Sequence, residues 1–153
     1  MGDFSAVLRE VRGLGQVALH GPNDLLPGLP DRPGWAALPG GTAIWTAPGV
    51  WLWLGEEPLV PPSHRTELHG ARCILELTGD GAAELLATLL PIDLHPRTFP
   101  EGAAAATLAA HVPLLVWRVA GGFRLACASS YAQSFTQSLV EAGRGRGLVW
   151  TGA

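Results

Sequence analysis

The clearest signal in the chain is alternation in its second half. From Arg72 to Thr78 the residues read RCILELT, with Cys73, Leu75 and Leu77 on one side and Glu76 and Thr78 on the other. That period of two is the mark of a strand with one buried face. Asp80 reads as the N-cap of a following helix. In that helix Ala82, Leu85, Leu86 and Leu89 recur at i, i+3, i+4 and i+7 and form one apolar face. Pro91 stops the helix, and a proline-studded loop runs to Gly102. Ala104–His111 and Pro113–Val119 read as two strands. Gly121-Gly122 turns the chain into a third, with Phe123, Leu125 and Cys127 inward. Ser130-x-x-Gln133 has the form of a capping box. It opens a helix to about Ala142 that carries Ala132, Phe135 and Leu139 on one face, and Gly143, Gly145 and Gly147 end it. Leu148–Thr151 can add an edge strand.

The first half is less regular. Residues 1–13 carry weak helical character, Gly15–His20 reads as a strand, and 21–41 is rich in proline and glycine with room for one short helix near Asn23–Leu26. Thr42–Thr46 and Val50–Leu54, joined by Ala47-Pro48-Gly49, predict a hairpin. A turn-rich stretch with a short helical piece near 61–66 follows. The expected class is α+β, with mostly antiparallel sheets built from ferredoxin-like, split βαβ units. The cleaner second half reads as a β-α-β-β-β-α-β core over 72–151, and 1–41 is the less regular N-terminal part. The first half echoes the same order loosely, without an exact sequence repeat.

Length fits one domain over residues 1–153. Charged residues make up only 15 % of the chain, hydrophobic ones 48 %, which excludes disorder. The apolar runs reach about half of the roughly 20 residues a bilayer span needs. Asp3, Arg9, Glu10 and Arg12 break up any leader-like start, so a cytoplasmic protein is expected. All ten basic residues are arginine, so a lysine Schiff base and a Walker-type phosphate loop are excluded. A net charge of −3 argues against nucleic acid as a partner. Two cysteines in apolar strands read as buried thiols.

Candidate chemistry concentrates in Pro91-Ile92-Asp93-Leu94-His95-Pro96-Arg97-Thr98-Phe99-Pro100. Asp93 and His95 share a side of an extended segment and could act as a base with its orienter. Against that, Pro96 forces His95 into extended geometry, and Asp93 is a turn former. No nucleophile motif accompanies them, so no catalytic residue is expected. Five histidines (His20, His64, His69, His95 and His111) show no metal-ligand spacing, so no metal is expected either. Six tryptophans are many for 153 residues. Trp51 and Trp53 occupy one face of their strand while Val50, Leu52 and Leu54 occupy the other. Such a strand is either central in the core or covered by another protein.

Over 72–142 the motifs resemble the γ subunit family of heterotetrameric sarcosine oxidase. The matching positions are Thr78, Gly79, Gly81 and Ala82; Pro91 to Pro100 with Gly102; Ala110-His111; Leu115 to Arg118, including Trp117; and Ser130-Tyr131-Ala132. Trp51-Leu52-Trp53-Leu54-Gly55 resembles a segment shared with the wider aminomethyltransferase group, from which Glu56-Glu57-Pro58-Leu59 departs. The resemblance implies the fold of the aminomethyltransferase folate-binding domain and an accessory role. In that family the large α subunit carries NAD and the folate site, other subunits carry flavin and zinc, and the whole assembly demethylates sarcosine. The γ subunit brings no cofactor or catalytic residue and docks chiefly on the large subunit. Its motif residues Asp93, His95, Pro96, Arg97, Phe99, His111, Trp117 and Arg118, with Trp51 and Trp53, are then candidate interface positions. Two other readings stay open: a stand-alone folate-binding, one-carbon module gripping its ligand through Glu56 or Glu57, and a homo-oligomeric scaffold.

Overall fold

A computed structural model describes residues 5–109 and 111–152. The second half follows the expected order: β7 (Arg72–Thr78), α1 (Ala82–Ala87), β8 (Ala104–Ala109), β9 (Val112–Val119), β10 (Gly122–Ala128), α2 (Ala132–Gly143) and β11 (Leu148–Trp150). With β1 (Ala6–Val11) these strands form one sheet in the order β11-β1-β7-β10-β9-β8. The first half supplies a second sheet from β2 (Gly15–His20), β3 (Trp35–Leu38), β4 (Gly41–Ala47), β5 (Val50–Gly55) and β6 (Arg65–Glu67), in the order β3-β4-β5-β2-β6. Pairing is antiparallel except between β1 and β11.

The two sheets share one connectivity. Reading β6-β2-β5-β4-β3 against β11-β7-β10-β9-β8 matches every strand in chain order, with β1 inserted between β11 and β7. The echo between the halves is therefore topological, although the helices of the second half shrink in the first to irregular loop and a 3₁₀ turn at Pro62–His64.

Period-two strands with apolar residues on both faces require cover on both sides. The layers supply it. Leu85, Leu86, Phe135 and Leu139 of the helices pack on Leu8, Leu75, Leu77, Phe123 and Leu125 of the larger sheet. Its other face, with Ile74, Leu115, Trp117 and Ala126, meets Ile44, Leu52 and Leu54 of the smaller sheet. The far face of the smaller sheet buries Val17, Leu19, Trp51 and Trp53 beneath Leu29 and Val60 of the loops. In the β9–β10 turn Gly121 takes φ 80°, and a side chain at Gly122 would strike the Leu77 carbonyl.

Several local expectations are corrected. Within 1–13, Ala6–Val11 is strand, because Ala6 and Leu8 alternate into the core and the backbone pairs with β7 and β11; residues 1–4 lie outside the described residues. Residues 23–26 form turns, closed by the Leu25 amide on the Pro22 carbonyl (3.0 Å), and no helix. Neither Asp80 nor Ser130 caps a helix. Gly81 holds the N-cap position of α1, and Ser130 is taken into a 3₁₀ turn that hands over to α2 at Tyr131. β8 ends at Ala109; Ala110 lies outside the described residues, and His111 sits in the β8–β9 turn with φ 70°.

Candidate functional site

The segment from Pro91 to Gly102 is held by two apolar pegs. Leu94 and Phe99 are buried in the core beneath the helices, while Asp93, His95, Pro96, Arg97 and Thr98 between and beside them are exposed. The exposed crest is stiffened from within. The His95 amide donates to Asp93 Oδ1 (2.9 Å), and the Arg97 amide donates to His95 Nδ1 (3.1 Å). The His95 carbonyl accepts from the amides of Thr98 (2.9 Å) and Phe99 (2.8 Å). That carbonyl also accepts the Thr98 hydroxyl at 3.1 Å. Asp93 is thus an Asx-turn former, and His95 uses Nδ1 as a backbone acceptor; the two side chains do not join as base and orienter. The His95 amide, aided by Thr98, holds the Asp93 carboxyl below its usual range.

Arg118, from β9, ties this loop down. Its Nη2 donates to the Leu94 carbonyl (2.6 Å), its Nε donates to the Phe99 carbonyl, and its guanidinium lies 4.4 Å from the centre of the Phe123 ring. Phe99 in turn stacks on Phe123 at 6.3 Å. One planar guanidinium satisfies two peg carbonyls and rests on an aromatic face, a geometry lysine cannot reproduce. Burial lowers the Arg118 pKa, yet a guanidinium stays charged. The backbone of Arg118 is engaged as well, its amide on the Ala103 carbonyl (3.0 Å) and its own carbonyl accepting the Trp35 indole (2.7 Å).

The remaining candidates are not gathered at this loop. His111, exposed, lies at the far end of the β8–β9 hairpin, roughly 17 Å along the strand from Ala104. Trp117 is buried between the sheets. Trp51 and Trp53 are buried by the chain itself, which answers the choice between core and partner cover at those positions: Trp51 donates to the Pro30 carbonyl (2.8 Å) and Trp53 to the Glu56 carbonyl (2.6 Å). Glu56 and Glu57 are exposed; Glu57 pairs with Arg65 at 2.8 Å, and Glu56 borders an open groove with Leu14, Thr42 and Arg124. Among the described residues no three His, Cys, Asp or Glu side chains gather as metal ligands. Sequence reasoning named Leu94 only as part of the motif and Phe123 only as an inward strand residue, and gave neither a role at this site. An apolar residue five before Phe99 in a polar loop was a usable signal for Leu94; nothing local marked Phe123 as the partner of Arg118.

This arrangement presents a polar crest on which Asp93 and His95 each engage a backbone amide. The layered fold is that of the aminomethyltransferases: the glycine cleavage system aminomethyltransferase T from Bartonella henselae superposes with a TM-score of 0.67 at 14 % identity, over 97 % of this chain and 48 % of that one. A chain of heterotetrameric sarcosine oxidase from Corynebacterium sp. U-96, solved with pyrrole 2-carboxylate, superposes with a TM-score of 0.80 at 26 % identity, over 95 % of this chain and 87 % of that one. In sequence, the sarcosine oxidase subunit gamma of an Arthrobacter species is 35 % identical over 104 residues, 60 % of this chain and 51 % of the relative. That of Corynebacterium sp. strain U-96 is 31 % identical over 129 residues, 75 % of this chain and 63 % of the relative. The chain is a relative of the sarcosine oxidase gamma subunits. It spans about half the length of the first curated relatives it matches. No protein-family model matches it.

Proposed function

We propose that this chain is a non-catalytic accessory subunit of a heterotetrameric, flavin-dependent oxidase of sarcosine or a related N-methyl amine. Flavin, NAD and folate belong to the partner subunits, and the chain docks chiefly on the large one, in the cytoplasm. The observation that carries this reading is the superposition on a chain of a heterotetrameric sarcosine oxidase over nearly the whole of both chains. A second support is chemical. The most distinctive motif, Asp93 to Phe99, uses its polar groups to shape a backbone and leaves His95, Pro96 and Arg97 outward on a fixed frame, as a docking surface requires. Among the described residues no helix is long and apolar enough to cross a membrane.

Co-expression with flavoprotein subunits encoded in the same genome tests the proposal. The expected result is one stoichiometric complex by gel filtration that carries flavin absorbance and oxidises sarcosine, while the chain alone turns over no amine. A monodisperse monomer or homodimer that ignores those subunits, or amine turnover by the isolated chain that one side-chain substitution abolishes, overturns it.

A further inference from the structure

Cys73 and Cys127 are register partners on β7 and β10. Directly opposed residues of an antiparallel pair share a face, with Cα atoms about 4.5–5.5 Å apart, inside the roughly 4.4–6.8 Å that a disulfide spans. The backbones there are fixed on both sides, by the pairs Ala126↔Ile74 and Ala128↔Arg72 and by the Ser129 amide on the Ala71 carbonyl at 2.9 Å. No disulfide joins the two cysteines in this structure. Their environments differ. Cys127 is buried beneath the helices, 2 % exposed. Cys73 is half-buried and lines an open cavity of about 770 Å³ between β1, β7 and α2, whose wall includes Glu10, Arg12, Gln133 and Thr136. A small oxidant entering that cavity has Cys73 in its wall. The hydrogen bond from Cys127 favours the Cys73 thiolate and lowers its pKa, while the same contact and burial raise that of Cys127. A more acidic, reachable thiol beside a sheltered one is the arrangement of an attacking and a resolving cysteine.

We propose that Cys73 and Cys127 form an intramolecular cross-strand disulfide on exposure to hydrogen peroxide, making this strand pair an oxidative modification site. The Cys73 thiolate attacks one peroxide oxygen, the O–O bond breaks, and with one proton taken up a sulfenic acid and water result. The Cys127 sulfur then attacks the Cys73 sulfur as its thiol proton leaves. The S–O bond breaks, hydroxide departs as water, and the S–S bond forms. Two thiols are oxidised and one peroxide is reduced to two waters. The site does not depend on the assembly proposed above.

The folded full chain treated with hydrogen peroxide, then denatured, alkylated and weighed intact, tests this. The expected product is a monomer lighter by about 2 Da that takes no alkyl group and regains two alkylatable thiols on reduction. In Cys127→Ala the same treatment is expected to leave a dimedone-reactive sulfenic acid on Cys73, and in Cys73→Ser the remaining thiol stays alkylatable. Oxygen added at Cys73 while Cys127 stays a free thiol in the wild type, a disulfide between two chains, or two thiols that both survive treatment overturns the proposal.

Discussion

Two proline-rich loops of similar length do opposite things. Residues 21–34 contain Pro22, Pro27, Pro30 and Pro33; residues 91–102 contain Pro91, Pro96 and Pro100. The first is a lid over the chain's own core. Leu25, Leu26 and Leu29 pack on the tryptophan face of the smaller sheet, and the Pro30 carbonyl takes the Trp51 indole proton. The second is pinned at Leu94 and Phe99 by Arg118, and it turns its polar residues outward. Composition does not separate them. What separates them is the donor each finds on a neighbouring strand: an apolar indole draws a loop inward as cover, and a guanidinium seats only the pegs.

The sharpest break of this contrast is Trp51→Ala. It removes a fully buried indole and the anchor of the lid, and should cost about 3–5 kcal/mol in urea unfolding. A loss under about 1 kcal/mol would show that the lid does not close that face. Arg118→Ala comes next. Leaving the Leu94 and Phe99 carbonyls without their donor should cost about 2–3 kcal/mol and speed amide exchange across 91–102 ahead of 21–34. Arg118→Lys should recover only part of it, because one ammonium cannot reproduce the fork.

A smaller effect should come from Glu76, outside both loops, which serves as a control on the sheet. Burial pushes its carboxyl up, but hydrogen bonds from Arg9 and Arg124 outweigh that and hold it below its ordinary 4.5. With the folded pKa depressed, the stabilisation is complete above the unfolded value and disappears as pH falls through the folded one. Glu76→Gln should therefore flatten the stability curve below pH 4.5 and cost about 1 kcal/mol at neutral pH, seen in melts across that range. The smallest effect on folding belongs to His95→Ala with Arg97→Ala, whose side chains are exposed; it should stay within about 0.5 kcal/mol. The same pair should weaken assembly with the oxidase subunits, read by gel filtration. A large stability loss with assembly intact would make the crest structural.

Much of the fold was legible because its signals are local. Alternation placed β7 and β10 to the residue or nearly so, and the i, i+3, i+4 spacing found both helices. The candidate loop was legible as a motif, from Asp93 to Phe99, but its working was not. The Asp93 carboxylate had a backbone amide two residues away as its partner, so the catalytic pairing the spacing allowed did not form. The capping predictions at Asp80 and Ser130 failed for a related reason: the chain reached each helix through turns whose backbone groups were already engaged.

By itself, then, the sequence determined the alternating strands, the amphipathic helices, the breaks between them and the family likeness, all carried by residues within a few positions of one another. Only the tertiary structure decided that Ala6–Val11 is a strand, that Trp51 and Trp53 are covered by their own chain, and which proline loop faces outward. Each of those outcomes rests on a partner far along the chain. Glu76 and Thr151 meet β1 across 67 and 143 residues, and Arg118 reaches Leu94 across 24. Local propensity is weak beside a paired backbone or a satisfied buried carbonyl, so the distant partner wins.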